Sequence, residues 1–307
     1  MSLRNAIVFS QSKGGCGKSS LTANIAGLAA AAGQRVLMVD LDGQAHLSMH
    51  VGIEKGTGKE LHDALVSGAK PVLIEDVRPN LSLMPGGKLV DSVDKKLPSA
   101  DTWGAALDRL LAPLAPDYDL ILIDTPPRAE DLVAGALMVA DNVVVPVDAD
   151  AGTVEGTVAL RDQFILASKA NPDLRLLGVV MFGFGLGATV MRTDTRADVS
   201  AMFGVDPVEA ERRVRSAMPI DPFVEVVFRA VVRDAAVAGR QARKEGWLIQ
   251  EIADASSRRA GLWVDHLRLG TVVPQVSSNA SGLLDDYVAI TRELLERAAA
   301  IRSAVAA

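Results

Sequence analysis

The chain has 307 residues, 49% of them hydrophobic but only 4% aromatic, so Ala, Val and Leu must build most of its core. Its single Cys excludes a disulfide framework and any multi-cysteine metal site within one chain. The net charge of −6 excludes a molecule that binds polyanions over its whole surface.

AIVFS (6–10) is a short apolar run rich in β-formers, and SKGGCGKSS follows as a loop. LTANIAGLAAAAG carries apolar residues at helical spacing, with Gly33 as its stop. RVLMVDLD (35–42) is a continuous apolar run ending in two acids, the pattern of a buried parallel strand. Strand, loop, helix and strand in that order form a βαβ unit with a Gly-rich first turn. The alternation continues along the chain. Helices are predicted over 59–67, 101–114, 129–140, 154–170 and 283–305. Strands are predicted over LSLMP (81–85), DLILIDTPP (119–127), NVVVPVDAD (142–150), LLGVVMFGFG (176–185) and FVEVVFRAVV (223–232). The expected fold is one doubly wound α/β domain over 1–307, a mostly parallel sheet with helices on both faces. Residues 241–273 hold two of the three Trp and several Arg, and read as an added helical pair. No apolar run reaches the roughly 18 residues that span a bilayer. The first strand begins with no basic leader pattern before it. A cytoplasmic protein is expected.

The first loop carries the chemistry. Glycines let backbone N–H groups converge on a phosphate, and the helix that follows adds the positive end of its dipole. Gly14, Gly15 and Gly17 stand between strand and helix, as this requires. Lys18 is placed to reach the β- and γ-phosphates, and Ser19 to put its hydroxyl on Mg²⁺. The loop departs from the pattern G-x-x-x-x-G-K-S/T, because Ser12 stands where the first glycine belongs and Lys13 adds a second lysine. A nucleotide-bound Mg²⁺ also wants an acid at the end of a neighbouring buried strand. LILIDTPP offers Asp124, and RVLMVDLD offers Asp40 and Asp42. Asp42 is the first choice for orienting an attacking water, and Asp40 is a further candidate metal ligand.

KGGCGKSS, DLDGQAH and LILIDTPP, in this order and spacing, resemble the deviant Walker A ATPases of the ParA/MinD class, and most closely ParA partition ATPases. That family's motifs read K-G-G-x-G-K-S/T-S/T, D-x-D-P-Q and D-x-P-P. DNVVVPVDADAGTVEG, with Pro146 and the pair Glu155 and Gly156, is similar to its segment after Walker B. VVFRAVVRDAAVAG is similar to its E-A-x-x-x-G turn, with Asp234, Ala235 and Gly239 in matching places. VPQVSSNASGLLDDY is similar to its closing segment, with Tyr287 in the last helix. The resemblance covers residues 5–240 and 274–300.

The resemblance implies an ATPase that uses ATP and Mg²⁺ and is slow without its partner. Lys13, Gly14, Gly15, Cys16, Gly17, Lys18, Ser19 and Ser20 would hold the nucleotide. Lys13 would be the signature lysine that reaches the partner subunit's nucleotide in an ATP-dependent homodimer. Lys18 would act in cis, Ser19 would bind Mg²⁺, Asp124 would hold it through water, and Asp42 would assist hydrolysis. The dimer would bind DNA without sequence preference on the nucleoid, and a ParB-like adaptor would trigger release.

Such DNA binding rests on phosphate contacts and weakens steeply with salt. The second half of the chain supplies it, since residues 161–307 hold 19 Lys+Arg, 17 of them Arg. Candidates are Arg192, Arg196, Arg212, Arg213, Arg215, Arg229, Arg233 and Arg240.

Two departures stand out. Gly43 replaces the family's proline after Asp42. Cys16 occupies a small apolar position, either as a filler or as a thiol activated by the helix N-terminus. The alternatives are a protein cargo, or a MinD-like membrane cycle. The latter needs an amphipathic C-terminal helix, and ELLERAAAIRSAVAA is alanine-rich and lacks aromatics, so no stable membrane association is expected. Metal-cluster relatives need paired cysteines, and kinase relatives a Tyr-rich tail; neither is present.

Overall fold

A computed structural model describes residues 3–148, 152–185, 187–216, 218–256 and 279–306. Strands β1 (Leu3–Phe9), β2 (Val36–Asp40), β3 (Ile74–Arg78), β4 (Leu81–Met84), β5 (Leu120–Asp124), β6 (Ala140–Val147), β7 (Arg175–Phe184) and β8 (Val227–Arg233) form one sheet. Its order is β3-β4-β2-β5-β1-β6-β7-β8, and only the β3–β4 pair is antiparallel. Around it lie α1 (Lys18–Ala31), α2 (His46–His50), α3 (Lys59–Ser67), α4 (Ala100–Leu111), α5 (Glu130–Val139), α6 (Gly152–Ala170), α7 (Thr189–Met202), α8 (Pro207–Arg215) and α9 (Ala236–Glu245). Helical residues 249–256, here α10, and α11 (Ala280–Ala306) complete the described chain.

The strands are buried on both faces because helices cover both. Val8 and Val39 point into a core shared with Trp103, Leu107 and Ala136. Ile7, Phe9 and Met38 point the other way, onto Leu21, Ile25, Tyr287 and Ile290. This alternation with period two is what turns continuous apolar runs into the middle of a three-layer sandwich. The carboxyl ends of β1, β2 and β5 meet at one edge of the sheet. There β1 runs into the glycine loop, and Asp40 stands level with Asp124.

Most predicted elements are present, with shifted ends. The helix predicted over 101–114 stops at Leu111, ahead of Pro113, since a proline has no N–H with which to continue the helical ladder. The strand predicted over 223–232 begins only at Val227. Asp221 ties the preceding residues into a turn, its carbonyl accepting from Val224 N (3.1 Å) and Glu225 N (2.8 Å). Four of these elements were not predicted: α2, β3, α7 and α8. In the segment expected as an added helical pair, α9 ends at Glu245 and α10 covers 249–256, while 257–273 lies outside the described residues. So do residues 273–278 of the closing segment VPQVSSNASGLLDDY.

Candidate active site

The loop after β1 turns on two glycines with positive φ, Gly15 (84°) and Gly17 (93°). Gly17 also has no room for a side chain, because a Cβ there would lie 2.6 Å from the Phe182 ring. α1 starts at once after Gly17, which places the N-terminal amides of a 14-residue helix behind the loop. Lys18 is 7% exposed, and its ammonium donates to the carbonyls of Gln11 (3.0 Å) and Lys13 (3.3 Å). Lys13 instead stands at the rim, where its ammonium pairs with Asp148 at 3.0 Å. The two lysines of the loop therefore occupy different environments, one folded under it and one facing outward.

Cys16 is buried, and its Sγ donates to the Lys13 carbonyl at 3.2 Å. Burial pushes its pKa up, outweighing the nearby Lys18 ammonium. The residue fills the inside of the loop, and the activated thiol is not supported. Ser20 bonds the Tyr287 hydroxyl at 2.8 Å and so ties the loop helix to α11. Burial drives the Tyr287 pKa up to about 12.

The acids differ in their attachments. Asp40 accepts Asp42 N and Leu47 N, each at 3.0 Å. Both its oxygens thus shape the turn that presents Asp42. Asp42 accepts Gln44 N at 2.8 Å and lies 3.7 Å from His46 Nδ1. Burial alone would raise its pKa, but His46, the Gln44 amide and Lys18 together bring it below the ordinary value. Asp42 is thus an anion on the wall of the cleft. Asp124 is fully buried, and neither of its oxygens makes a well-formed hydrogen bond. Burial pushes its pKa up to about 7, against the opposing pull of Ser19 and Lys18. A buried carboxylate with both oxygens unused, next to a serine and a lysine, fits a site for a hard cation with oxygen ligands.

Two clefts open at this edge. One, of about 420 Å³, runs over Gly14, Gly17, Lys18, Ser19, Asp42 and Pro127. The other, of about 280 Å³, runs from Ser20 over Phe182 and Gly183 to Asp234 and Tyr287. His46, His50, Phe182 and Arg243 line these clefts and were missed in the sequence. His46 alone left a signal, four residues after Asp42 at helical spacing.

A family model described as an AAA domain matches residues 4–176. The chain belongs to this family. It is 32% identical over 208 residues to the chromosome-partitioning ATPase Soj of Thermus thermophilus, covering 64% of this chain and 76% of that protein. Its fold is similar to that of apo McdA from Cyanothece, with a TM-score of 0.67 at 18% identity over 95% of this chain and 99% of the other. It is also similar to MinD from Pyrococcus horikoshii in complex with Mg-ADP, with a TM-score of 0.61 at 20% identity over 94% and 95%. The chain is a P-loop ATPase of the ParA/MinD class.

The arginines expected to meet DNA are distributed unevenly. Arg229 and Arg213 both bond Glu225, at 2.7 and 3.3 Å, and Arg233 forks onto Asp286. Arg196 donates to the carbonyls of Val227 (3.3 Å) and Phe228 (3.0 Å). Arg240 lines the second cleft, and Arg192 lies on α7. Arg212 and Arg215 are exposed, with side chains 56% and 73% accessible, each beside a glutamate of its own helix, and Arg240 is exposed as well. Among the described residues no helix is long and apolar enough to cross a membrane. The apolar face of α11, from Leu283 through Ile301, is packed into the core.

Proposed function

We propose that this chain is a positioning ATPase of the partition type, which dimerises around ATP, binds DNA in that state and is released when a partner stimulates hydrolysis. The observation that carries this reading is the division of labour between Lys18 and Lys13. Lys18 lies within hydrogen-bond reach of its own loop and serves its own nucleotide. Lys13 sits on the rim, where its ammonium pairs with Asp148, and would exchange that carboxylate for the phosphates of a facing subunit. Ser19 and Asp124 would hold Mg²⁺, directly and through water, and the ion would neutralise phosphate charge. Asp42, an anion fixed by the Gln44 amide, orients the attacking water. DNA contact falls to Arg212 and Arg215, with Arg192 and Arg240 nearby in sequence to other elements of the same half. Arg196, Arg213, Arg229 and Arg233 are tied to their own chain and would contribute less. The reading places the protein in the cytoplasm, on the nucleoid.

The test is light scattering and phosphate release with Lys13→Ala in ATP. The variant is expected to stay monomeric and to lose stimulated hydrolysis. ATP-dependent dimers with normal turnover would remove the trans role. DNA binding is expected with ATP and not with ADP, and is expected to fall as salt rises.

A further inference from the structure

The two clefts share five residues: Gly15, Ser20, His50, Phe182 and Arg243. A nucleotide with its terminal phosphates on the glycine loop and its base in the second cleft must pass through this seam. The part that lies there is the ribose and the α-phosphate. Arg243 is the one cation among the five shared residues. It is half-buried, and no hydrogen bond or ion pair engages it among the described residues. His50 is 3% exposed, and its Nδ1 has no hydrogen-bond partner among the described residues. Burial, with the charges of Arg243 and His46, pushes its pKa down to about 3, so it is neutral. A half-buried guanidinium without an acid, beside a buried imidazole with an unused nitrogen, is an arrangement short of an anion.

The mount of these two side chains is rigid. α2, which carries His50, and α9, which carries Arg243, end back to back. Gly52 and Gly246 follow them with φ of 73° and 66°, and a Cβ on Gly246 would lie 2.3 Å from Gly52 Cα. Arg78 on the edge strand locks the junction. Its guanidinium donates to Val51 O and Gly246 O, each at 3.2 Å, and to Glu251 at 2.9 Å. α10 is anchored in turn to the loop helix, since Ile249 N donates to Asn24 Oδ1 at 2.8 Å.

We propose that Arg243 binds the α-phosphate of the nucleotide in cis, with His50 hydrogen-bonding beside it, so that α9 and α10 are part of the nucleotide site. The inference rests on reading the clefts as a nucleotide site. The α-phosphate is common to ATP and ADP, so Arg243 supports affinity for both alike.

The test is calorimetric titration of wild type, Arg243→Ala and Arg243→Lys with ATP and with ADP, alongside thermal unfolding of each ligand-free protein. The alanine variant should lose about 10- to 100-fold in affinity for both nucleotides, as expected for one charge-assisted hydrogen bond. The lysine variant should recover part of the loss, and all three ligand-free proteins should unfold at the same temperature. Unchanged ADP affinity in the alanine variant overturns the inference. So does a loss for ATP only, which would move the guanidinium to the γ-phosphate. An unfolding temperature that falls with the affinity, without recovery by lysine, also overturns it, because Arg243 is then structural. A wild type that binds neither nucleotide removes the underlying site reading, a different failure from an indifferent Arg243→Ala.

Discussion

Asp40 and Asp124 sit level with each other on neighbouring parallel strands, both fully buried, yet only Asp40 has its oxygens satisfied. The sheet thus ties one carboxylate into the turn after β2 and leaves its neighbour's oxygens without a partner among the described residues. An unsatisfied buried carboxylate destabilises the ligand-free fold. Asp124→Asn should therefore raise ligand-free stability by on the order of 1–3 kcal/mol at neutral pH, while ATP hydrolysis falls by about 100-fold or more. Asp40→Ala should do the reverse to stability, losing about 1–3 kcal/mol because two buried amides lose their acceptor. Urea titrations and phosphate release separate the two; equal destabilisation by both variants would refute the division.

Gly43 stands where the sequence resemblance implies proline, and its surroundings account for the glycine. A Cβ there would lie 2.0 Å from Asp91 Oδ1. Proline would put its ring into the acid. Gly43→Pro should cost about 1–3 kcal/mol through this crowding, read as a lower urea midpoint. Adding Asp91→Ala should recover part of that loss. A neutral Gly43→Pro would show that Asp91 does not crowd this turn.

The glycine loop, its two lysines and the three strand-end acids were legible because they are local: each lies at the end of a strong apolar run. The parts that were not legible depend on residues far apart in the chain. β3 reads IEDVR, half-exposed and without alternation, and it is a strand only because β4 pairs with it. Arg78 gains its role from Val51, Gly246 and Glu251, which no local pattern connects. Arg243 reaches the site from more than 220 residues beyond the glycine loop. α8 did carry a signal, Asp206 capping Val208 N with Pro207 at the first helical position, which is a recognisable helix start.

Arg297 is the least visible of the structural residues in the sequence. It is 0% exposed and donates to Glu293 (2.7 Å), Val227 O (3.1 Å) and Leu177 O (3.3 Å), with its guanidinium 4.5 Å from the Phe228 ring centre. It binds α11 to the ends of β7 and β8. Arg297→Ala should lose about 3–5 kcal/mol, since Glu293 and several carbonyls are left buried without their donor. The loss should show as a large drop in unfolding temperature. A drop of only a degree or two would mean that water replaces the guanidinium.

Asp141 sets a pH dependence that has no part in the chemistry. It is 8% exposed at the start of β6, its Oδ1 lacks a partner, and burial pushes its pKa up to about 7. Between about pH 4 and pH 7 the folded chain keeps a proton there that the unfolded chain has released. The folded state binds more protons, so stability falls as pH rises through that window. The loss from this residue should be on the order of 2–4 kcal/mol by pH 8. Asp141→Asn removes the titration. The variant should match wild type near pH 4 and exceed it increasingly toward pH 8, in urea titrations at each pH. Asp124, also raised to about 7 by burial, gives wild type a slope of the same sign, so the difference between the two proteins, and not the wild-type curve, isolates Asp141. A constant difference across pH 4–8 would mean that Asp141 is not charged differently in the folded and unfolded states.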